Sequence, residues 1–104
     1  MIVRVHSGVA PVDYELHHED IIGRKIGENV PEIPIPKIHL DVSRRHGQFY
    51  SNEGVWSYED LGSTNGTWRL PEGDRIGAIQ LQPGIKLRLG DFPQDSGIDL
   101  EVLG

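Results

Sequence analysis

Cysteine is absent from the chain, which excludes a disulfide framework and any thiolate metal or redox site and favours a reducing compartment. Long apolar runs are absent too. Nothing approaches the length needed to cross a bilayer, and the N-terminus alternates polar and apolar residues from Ile2 instead of building the apolar stretch of a signal peptide. We therefore expect a cytoplasmic chain, nuclear if the source is eukaryotic, with no membrane insertion. No window carries sustained 3.6-residue apolar periodicity, so helix content should be very low. Hydrophobic residues make up only 37% of the chain and aromatics 7%, a modest interior that suits two thin packed layers better than a thick helical bundle. Basic excess is also missing. The net charge is −6, which argues against non-specific nucleic-acid binding, and no basic stripe interleaved with aromatics appears.

Turn formers are plentiful: 13 Gly and 7 Pro among 104 residues. That length makes one domain, residues 1–104, with its own core. Short β-rich runs recur along it: Ile2–Val5, Tyr14–His17, Ile21-Ile22, His46–Tyr50, Val55–Glu59, Trp68–Leu70, Ile76–Leu81, Lys86–Leu89 and Ile98–Leu103. Residues 51–54 (SNEG) read as a hairpin turn, and Pro83-Gly84 as another turn. Residues 27–37 (GENVPEIPIPK) contain Pro31, Pro34 and Pro36 around Ile33 and Ile35. Such a stretch is neither helix nor central strand, and reads as an extended edge or connection. About ten or eleven short strands divided by turns give an all-β sandwich of two mainly antiparallel sheets.

The distribution of charge says more than its sum. Six of the ten Lys and Arg (Arg24, Lys25, Lys37, Arg44, Arg45, Arg69) lie within residues 24–69, while the tail from Asp91 carries Asp91, Asp95, Asp99 and Glu101 and no cation. A local basic spot on an acidic body suits a small anionic ligand. The same region gathers hydroxyls: Ser43-Arg44-Arg45-His46, then Asp60-Leu61-Gly62-Ser63-Thr64-Asn65-Gly66-Thr67, with Gly23-Arg24 upstream. Arginine offers a fixed fork of donors to a phosphate, and hydroxyls fill the remaining oxygen lone pairs. Asn65-Gly66 favours positive φ at both turn centres, hence a tight hairpin.

Gly-Arg, Ser-Arg-x-His and Asp-Leu-Gly-Ser-Thr-Asn-Gly-Thr, in this order, resemble the forkhead-associated (FHA) domain, a family that binds phosphothreonine peptides. Late elements continue the likeness, with Leu81-Gln82-Pro83-Gly84 followed by Leu87-Arg88-Leu89-Gly90-Asp91. The resemblance implies that Arg24, Ser43, Arg44 and Thr64 contact the phosphate or the residues beside it, and that Asn65 binds the peptide main chain. It implies that Gly23 and Gly66 fix turns and that His46 braces the loops. Arg45 falls at a variable position. The implied function is a signalling module that docks a partner phosphorylated by a Ser/Thr kinase, with no cofactor and no metal. Two threadings of the loop before Ser43 are open: a strand at Ile38–Leu40 with a very short loop, or a strand at Ile33–Ile35 with the loop 36–42. We prefer the second, whose loop length is ordinary. Gly47 stands where the family often has another small residue such as alanine, and Trp68 follows Gly66-Thr67.

Two other classes compete. Ser43 and His46 invite an enzyme reading, yet no Gly-x-Ser-x-Gly elbow or His-x-x-x-His motif occurs, and the adjacent His17 and His18 would point to opposite faces of a strand. The chain is therefore expected not to be an enzyme. The alternative function is a phosphate-independent interaction module on the same fold.

Overall fold

The computed structural model describes residues 1–8, 10–91 and 97–104; Asp95 of the acidic tail lies outside them. These residues form eleven strands: β1 (Ile2–His6), β2 (Val12–Glu15), β3 (Ile21–Arg24), β4 (Ile33–Ile35), β5 (Gly47–Asn52), β6 (Val55–Asp60), β7 (Thr67–Leu70), β8 (Asp74–Ile76), β9 (Ala78–Gln80), β10 (Lys86–Leu89) and β11 (Ile98–Val102). They form a six-stranded sheet, β2-β1-β11-β10-β7-β8, and a five-stranded sheet, β4-β3-β5-β6-β9. No helix occurs among the described residues. All pairings are antiparallel except β3 with β4.

Period-two alternation drives the packing. From the larger sheet Val3, Val5, Leu87, Leu89, Ile98, Leu100 and Val102 point inward, and from the smaller one Ile22, Ile33, Ile35, Phe49 and Tyr58 meet them. Phe49 and Tyr58 stack edge to face at 5.2 Å. Each such side chain contributes roughly 1.5–3 kcal/mol on burial, and this shared interior fixes the two sheets relative to each other.

Several expectations change in detail. The proline-rich stretch is an edge strand where its isoleucines lie: among the described residues β4 pairs with β3 alone, so the N–H that Pro34 lacks is not missed. Ile38–Leu40 is not a strand. It lies in turns, where His39 N–H donates to Pro36 O at 3.1 Å and Val42 N–H to His39 O at 3.1 Å, so the loop from 36 to 46 is long. The run Ile76–Leu81 is two strands broken at Gly77: β8 pairs with β7 in one sheet and β9 with β6 in the other. Asn65-Gly66 does not close a hairpin, because β6 and β7 belong to different sheets and Gly66, at φ 87°, is the only one of the two in the left-handed region. The two-residue hairpin is at Glu53-Gly54, with φ of 51° and 80°, between Asn52 and Val55 of β5 and β6.

Candidate functional site

The strand registers bring the ends of β3, β4 and β6 and the starts of β5 and β7 to one end of the sandwich, with the end of β10 beside them. Three segments meet there: Gly23-Arg24 where β3 ends, residues 41–46 before β5, and residues 60–67 between β6 and β7. Backbone bonds stitch them together, Arg24 N–H to Ser43 O at 2.9 Å, His46 N–H to Ile22 O at 3.0 Å, Leu61 N–H to His46 O at 3.0 Å and Gly90 N–H to Gly66 O at 3.0 Å.

Gly23 is needed for space, not for a left-handed turn. A Cβ there would lie 2.0 Å from the carbonyl oxygen of Arg44 and 3.0 Å from that of Ser43. That closeness lets Arg24 run under the loop, where its Nε donates to Val42 O at 3.0 Å. The terminal nitrogens of Arg24 have no hydrogen-bond or ion-pair partner among the described residues. Asn29 closes the same corner, its Nδ2 donating to the carbonyls of Arg24 (3.0 Å) and Arg44 (3.2 Å).

His46 is fully buried. Its Nδ1 accepts from Ser43 N–H at 3.1 Å, so the proton sits on Nε2, which donates to Gly66 O at 2.8 Å. Burial holds the imidazole below its ordinary pKa, against the opposing pull of the Gly66 carbonyl and of Asp60, so the ring is neutral at pH 7. With both ring nitrogens committed to backbone groups, His46 is not placed as a base toward the Ser43 hydroxyl. That hydroxyl oxygen instead accepts from Thr64 N–H at 3.2 Å, and its proton has no acceptor among the described residues. Thr64 itself is exposed.

Asp60 organises the second loop, a role that sequence reading missed. One carboxylate oxygen accepts from the N–H groups of Gly62 (2.9 Å) and Ser63 (2.8 Å), the other from the hydroxyls of Ser63 (2.6 Å) and Thr67 (2.8 Å). Ser63 Oγ in turn accepts from Gly66 N–H at 3.0 Å, and the buried Tyr58 hydroxyl donates to Thr67 Oγ1 at 2.8 Å. Burial pushes the Asp60 carboxyl upward, but the bonds from Ser63 and Thr67 and the nearby His46 outweigh it, leaving the group below the ordinary carboxylate range. The Asp-x-Gly-Ser spacing, an Asx-turn pattern, is the signal that could have revealed it. Tyr58 also accounts for Gly47: a Cβ there would lie 2.1 Å from the Tyr58 hydroxyl oxygen and 2.2–2.3 Å from the two ring carbons nearest it.

Asn65 is half-buried. Its Nδ2 donates to Asp41 O at 3.0 Å and its carbonyl accepts from Trp68 Nε1 at 3.0 Å, while its Oδ1 has no donor among the described residues. Trp68 is thus part of the brace on this loop, with the Arg75 guanidinium 5.6 Å from its ring centroid.

Of the cations, Arg4, Arg69, Lys86 and Arg88 pair with carboxylates, and Arg75 lies over Trp68 with a contact to Ser63 O. The other five, Arg24, Lys25, Lys37, Arg44 and Arg45, have no acidic partner within 4.0 Å among the described residues, and all lie between residues 24 and 45.

Loops braced by backbone bonds thus bring the guanidinium of Arg24 and the hydroxyls of Ser43 and Thr64 together at one end of a β-sandwich. Residues 20–90, more than half of the chain, match the FHA domain family model, and the chain belongs to the FHA family, whose members are phosphothreonine-peptide-binding interaction modules rather than enzymes. Among curated proteins it resembles the oxoglutarate dehydrogenase inhibitors of Corynebacterium efficiens (39% identical over 64 residues) and Corynebacterium glutamicum (38% over 64 residues). That match covers 60% of this chain and 42% of each relative, so the chain spans less than half the length of those proteins. Among solved structures it resembles the FhaA FHA domain in complex with the intracellular domain of Rv3910 (TM-score 0.74, 27% identical, 96% of each chain covered). A second similar structure comes from work on phosphothreonine-dependent FHA domain interactions (TM-score 0.69, 25% identical, 100% of this chain and 99% of that one). The Rv1747 FHA-1 domain of Mycobacterium tuberculosis shares the fold at 20% identity (TM-score 0.70, 99% of this chain and 97% of that one).

Proposed function

We propose that this chain reads phosphothreonine in a partner protein phosphorylated by a Ser/Thr kinase, and so recruits or docks that partner. The observation that carries the proposal is the segregation of the unpaired cations into residues 24–45 on a chain of net charge −6. Arg24, fixed at Nε, turns its free donors to the phosphate, and Arg44 adds a second guanidinium. Ser43 gives its unused hydroxyl proton to a phosphate oxygen, and Thr64 adds a hydroxyl beside it. Asn65 accepts a peptide N–H at Oδ1; its Nδ2, bonded to Asp41, serves first to hold the loop. Gly23, His46 and Gly66 keep these groups in place. Charge-assisted hydrogen bonds contribute roughly 1.5–3 kcal/mol each; a few of them, less the cost of ordering the peptide, give a Kd on the order of micromolar.

The test is calorimetric titration with degenerate peptides centred on phosphothreonine, phosphoserine and threonine. Binding confined to the phosphorylated peptides, strongest for phosphothreonine, supports the reading. Equal binding with and without phosphate refutes it and favours a phosphate-independent docking module. The resemblance to proteins named as oxoglutarate dehydrogenase inhibitors suits a module that acts by docking on a partner, and for this chain that partner is a question for the same peptides.

A further inference from the structure

Asn65 and Gly66 form the one Asn-Gly pair in the sequence. Such a pair is chemically labile, because glycine has no side chain to keep its backbone nitrogen away from the amide carbon of the asparagine before it. The fold fixes both halves of the pair. Gly66 sits at φ 87°, and a Cβ on it would also lie 2.7 Å from Arg75 Nε, so glycine is required there. The Asn65 amide is in use as well, its Nδ2 donating to Asp41 O at 3.0 Å. Lability is therefore built into the candidate site, and the same loop guards the attacking atom. Gly66 N–H is buried and donates to Ser63 Oγ at 3.0 Å, and that hydroxyl donates to Asp60 at 2.6 Å. While these bonds stand, the Gly66 nitrogen keeps its proton and points to Ser63, and the Asn65 side chain is tied to Asp41.

We propose that Asn65 is a deamidation site held latent by this loop, and that its conversion ends phosphopeptide reading; the second half rests on the function proposed above. In the step, solvent base removes the Gly66 N–H proton and the nitrogen attacks Asn65 Cγ. The Cγ–Nδ2 bond breaks and the nitrogen leaves, protonated, as ammonia. Water then opens the resulting succinimide at either carbonyl, leaving an aspartyl or isoaspartyl residue at position 65. One water is consumed, one ammonia is released, and nothing is oxidised or reduced. Ring closure needs the Gly66 N–H exposed, so the rate is that of the unconstrained chain multiplied by the fraction of time the loop is open. The product lacks the N–H that holds Asp41 O. It sets a carboxylate beside the Thr64 hydroxyl instead, where an incoming phosphate meets a like charge. A bound phosphopeptide, which the open loop does not hold, lowers the open fraction by mass action.

The test incubates the full chain at mildly alkaline pH, folded and in urea, and reads deamidation at each asparagine by peptide mass spectrometry. In urea Asn65 should convert faster than Asn29 and Asn52, which precede Val30 and Glu53. In the folded chain it should slow at least tenfold, in step with hydrogen exchange at the Gly66 amide; this comparison needs no substitution. Ser63→Ala, which removes the acceptor for Gly66 N–H, should speed both together, and a saturating phosphothreonine peptide should slow both at least tenfold. The deamidated fraction and Asn65→Asp, each checked by a thermal melt, should bind that peptide at least tenfold more weakly than the untreated chain. Equal Asn65 rates in the folded and unfolded chain, or a rate that does not follow Gly66 exchange, overturn the latent site. Unchanged affinity of the deamidated fraction overturns the loss of reading and leaves the reader function standing. No phosphate-dependent binding by the untreated chain overturns the reader function and the loss of reading together, while the latent site is judged by the rates alone.

Discussion

Alanine at Gly23 would put a Cβ 2.0 Å from the Arg44 carbonyl oxygen and 2.6 Å from its carbon, with the Ser43 oxygen at 3.0 Å. Ordinary van der Waals contact begins near 3.4 Å, so the 43–44 backbone would have to move by more than an ångström. Neither side of the clash is a flexible side-chain end: β3 is held by Ile22 pairing with both Ile33 and Gly47, and the loop by Arg24 N–H to Ser43 O. Relief breaks that 2.9 Å bond and strains the Arg24 Nε bond to Val42 O. Overpacking costs about 1–3 kcal/mol and the broken bond about 1 kcal/mol, so a loss of roughly 2–4 kcal/mol is expected. For a domain of this size that lowers the Tm by roughly 10–20 °C. The same shift pulls Ser43 away from Thr64, so phosphopeptide affinity should fall at least tenfold even where the variant remains folded. Gly77→Ala is the control, with nothing within 4 Å of the added Cβ; its Tm should change by no more than about 2 °C, within the surface-substitution range. Thermal melts and calorimetry on both variants decide the matter. A Gly23→Ala chain that melts and binds like Gly77→Ala would refute the close-approach argument.

Tyr58→Phe removes the hydroxyl that donates to Thr67 Oγ1, and should lower stability by about 1 kcal/mol in denaturant melts; an unchanged midpoint would mean that this network contributes nothing. Glu53→Asn keeps the left-handed turn of the β5–β6 hairpin but suits its φ of 51° better, so the Tm should rise by a few degrees, about 0.5–1 kcal/mol; a fall would contradict the turn assignment. The depressed pKa of His46 means that the unfolded chain binds the proton more readily than the folded one, so this residue's stability contribution is present above the ordinary imidazole value of 6.5 and is lost as pH falls below it. Asp60, also depressed, loses its contribution at lower pH still, below the ordinary carboxylate value of 3.8. Melting curves from pH 8 to 5 should show falling stability, with a shallower slope in His46→Gln; equal slopes would sink the assignment.

The strands and their alternation were legible because one face of each sheet is buried: Lys86–Leu89 and Ile98–Val102 show the period-two pattern in plain sequence. Sheet membership was not. Gly77 divides what reads as one apolar run, and only the pairings with β7 and β6 show that its halves lie in different sheets. Asn65-Gly66 misled for the same reason, since a local dipeptide signal carries no information about whether its flanking strands pair. Here Asn65 is fixed instead by Asp41 and Trp68, residues 24 positions before and 3 after it. The candidate binding residues were found through motif resemblance, whereas Asp60, Asn29 and Trp68 act through loop geometry that spacing alone shows weakly. Gly23 was found for a turn and is required for a backbone approach.

The most direct test of the central claim compares phosphothreonine-peptide affinity in the wild type, Arg24→Ala and Arg4→Ala. Arg4 is a cation of the larger sheet that is paired with Asp13 at 2.8 Å, so both variants lose the same charge. One charge-assisted bond of roughly 1.5–3 kcal/mol corresponds to about tenfold to a hundredfold in Kd. Arg24→Ala should lose that much or more, and Arg4→Ala should stay within about twofold of wild type. Equal losses in the two variants, or none in Arg24→Ala, would contradict a phosphate site built on the unpaired cations.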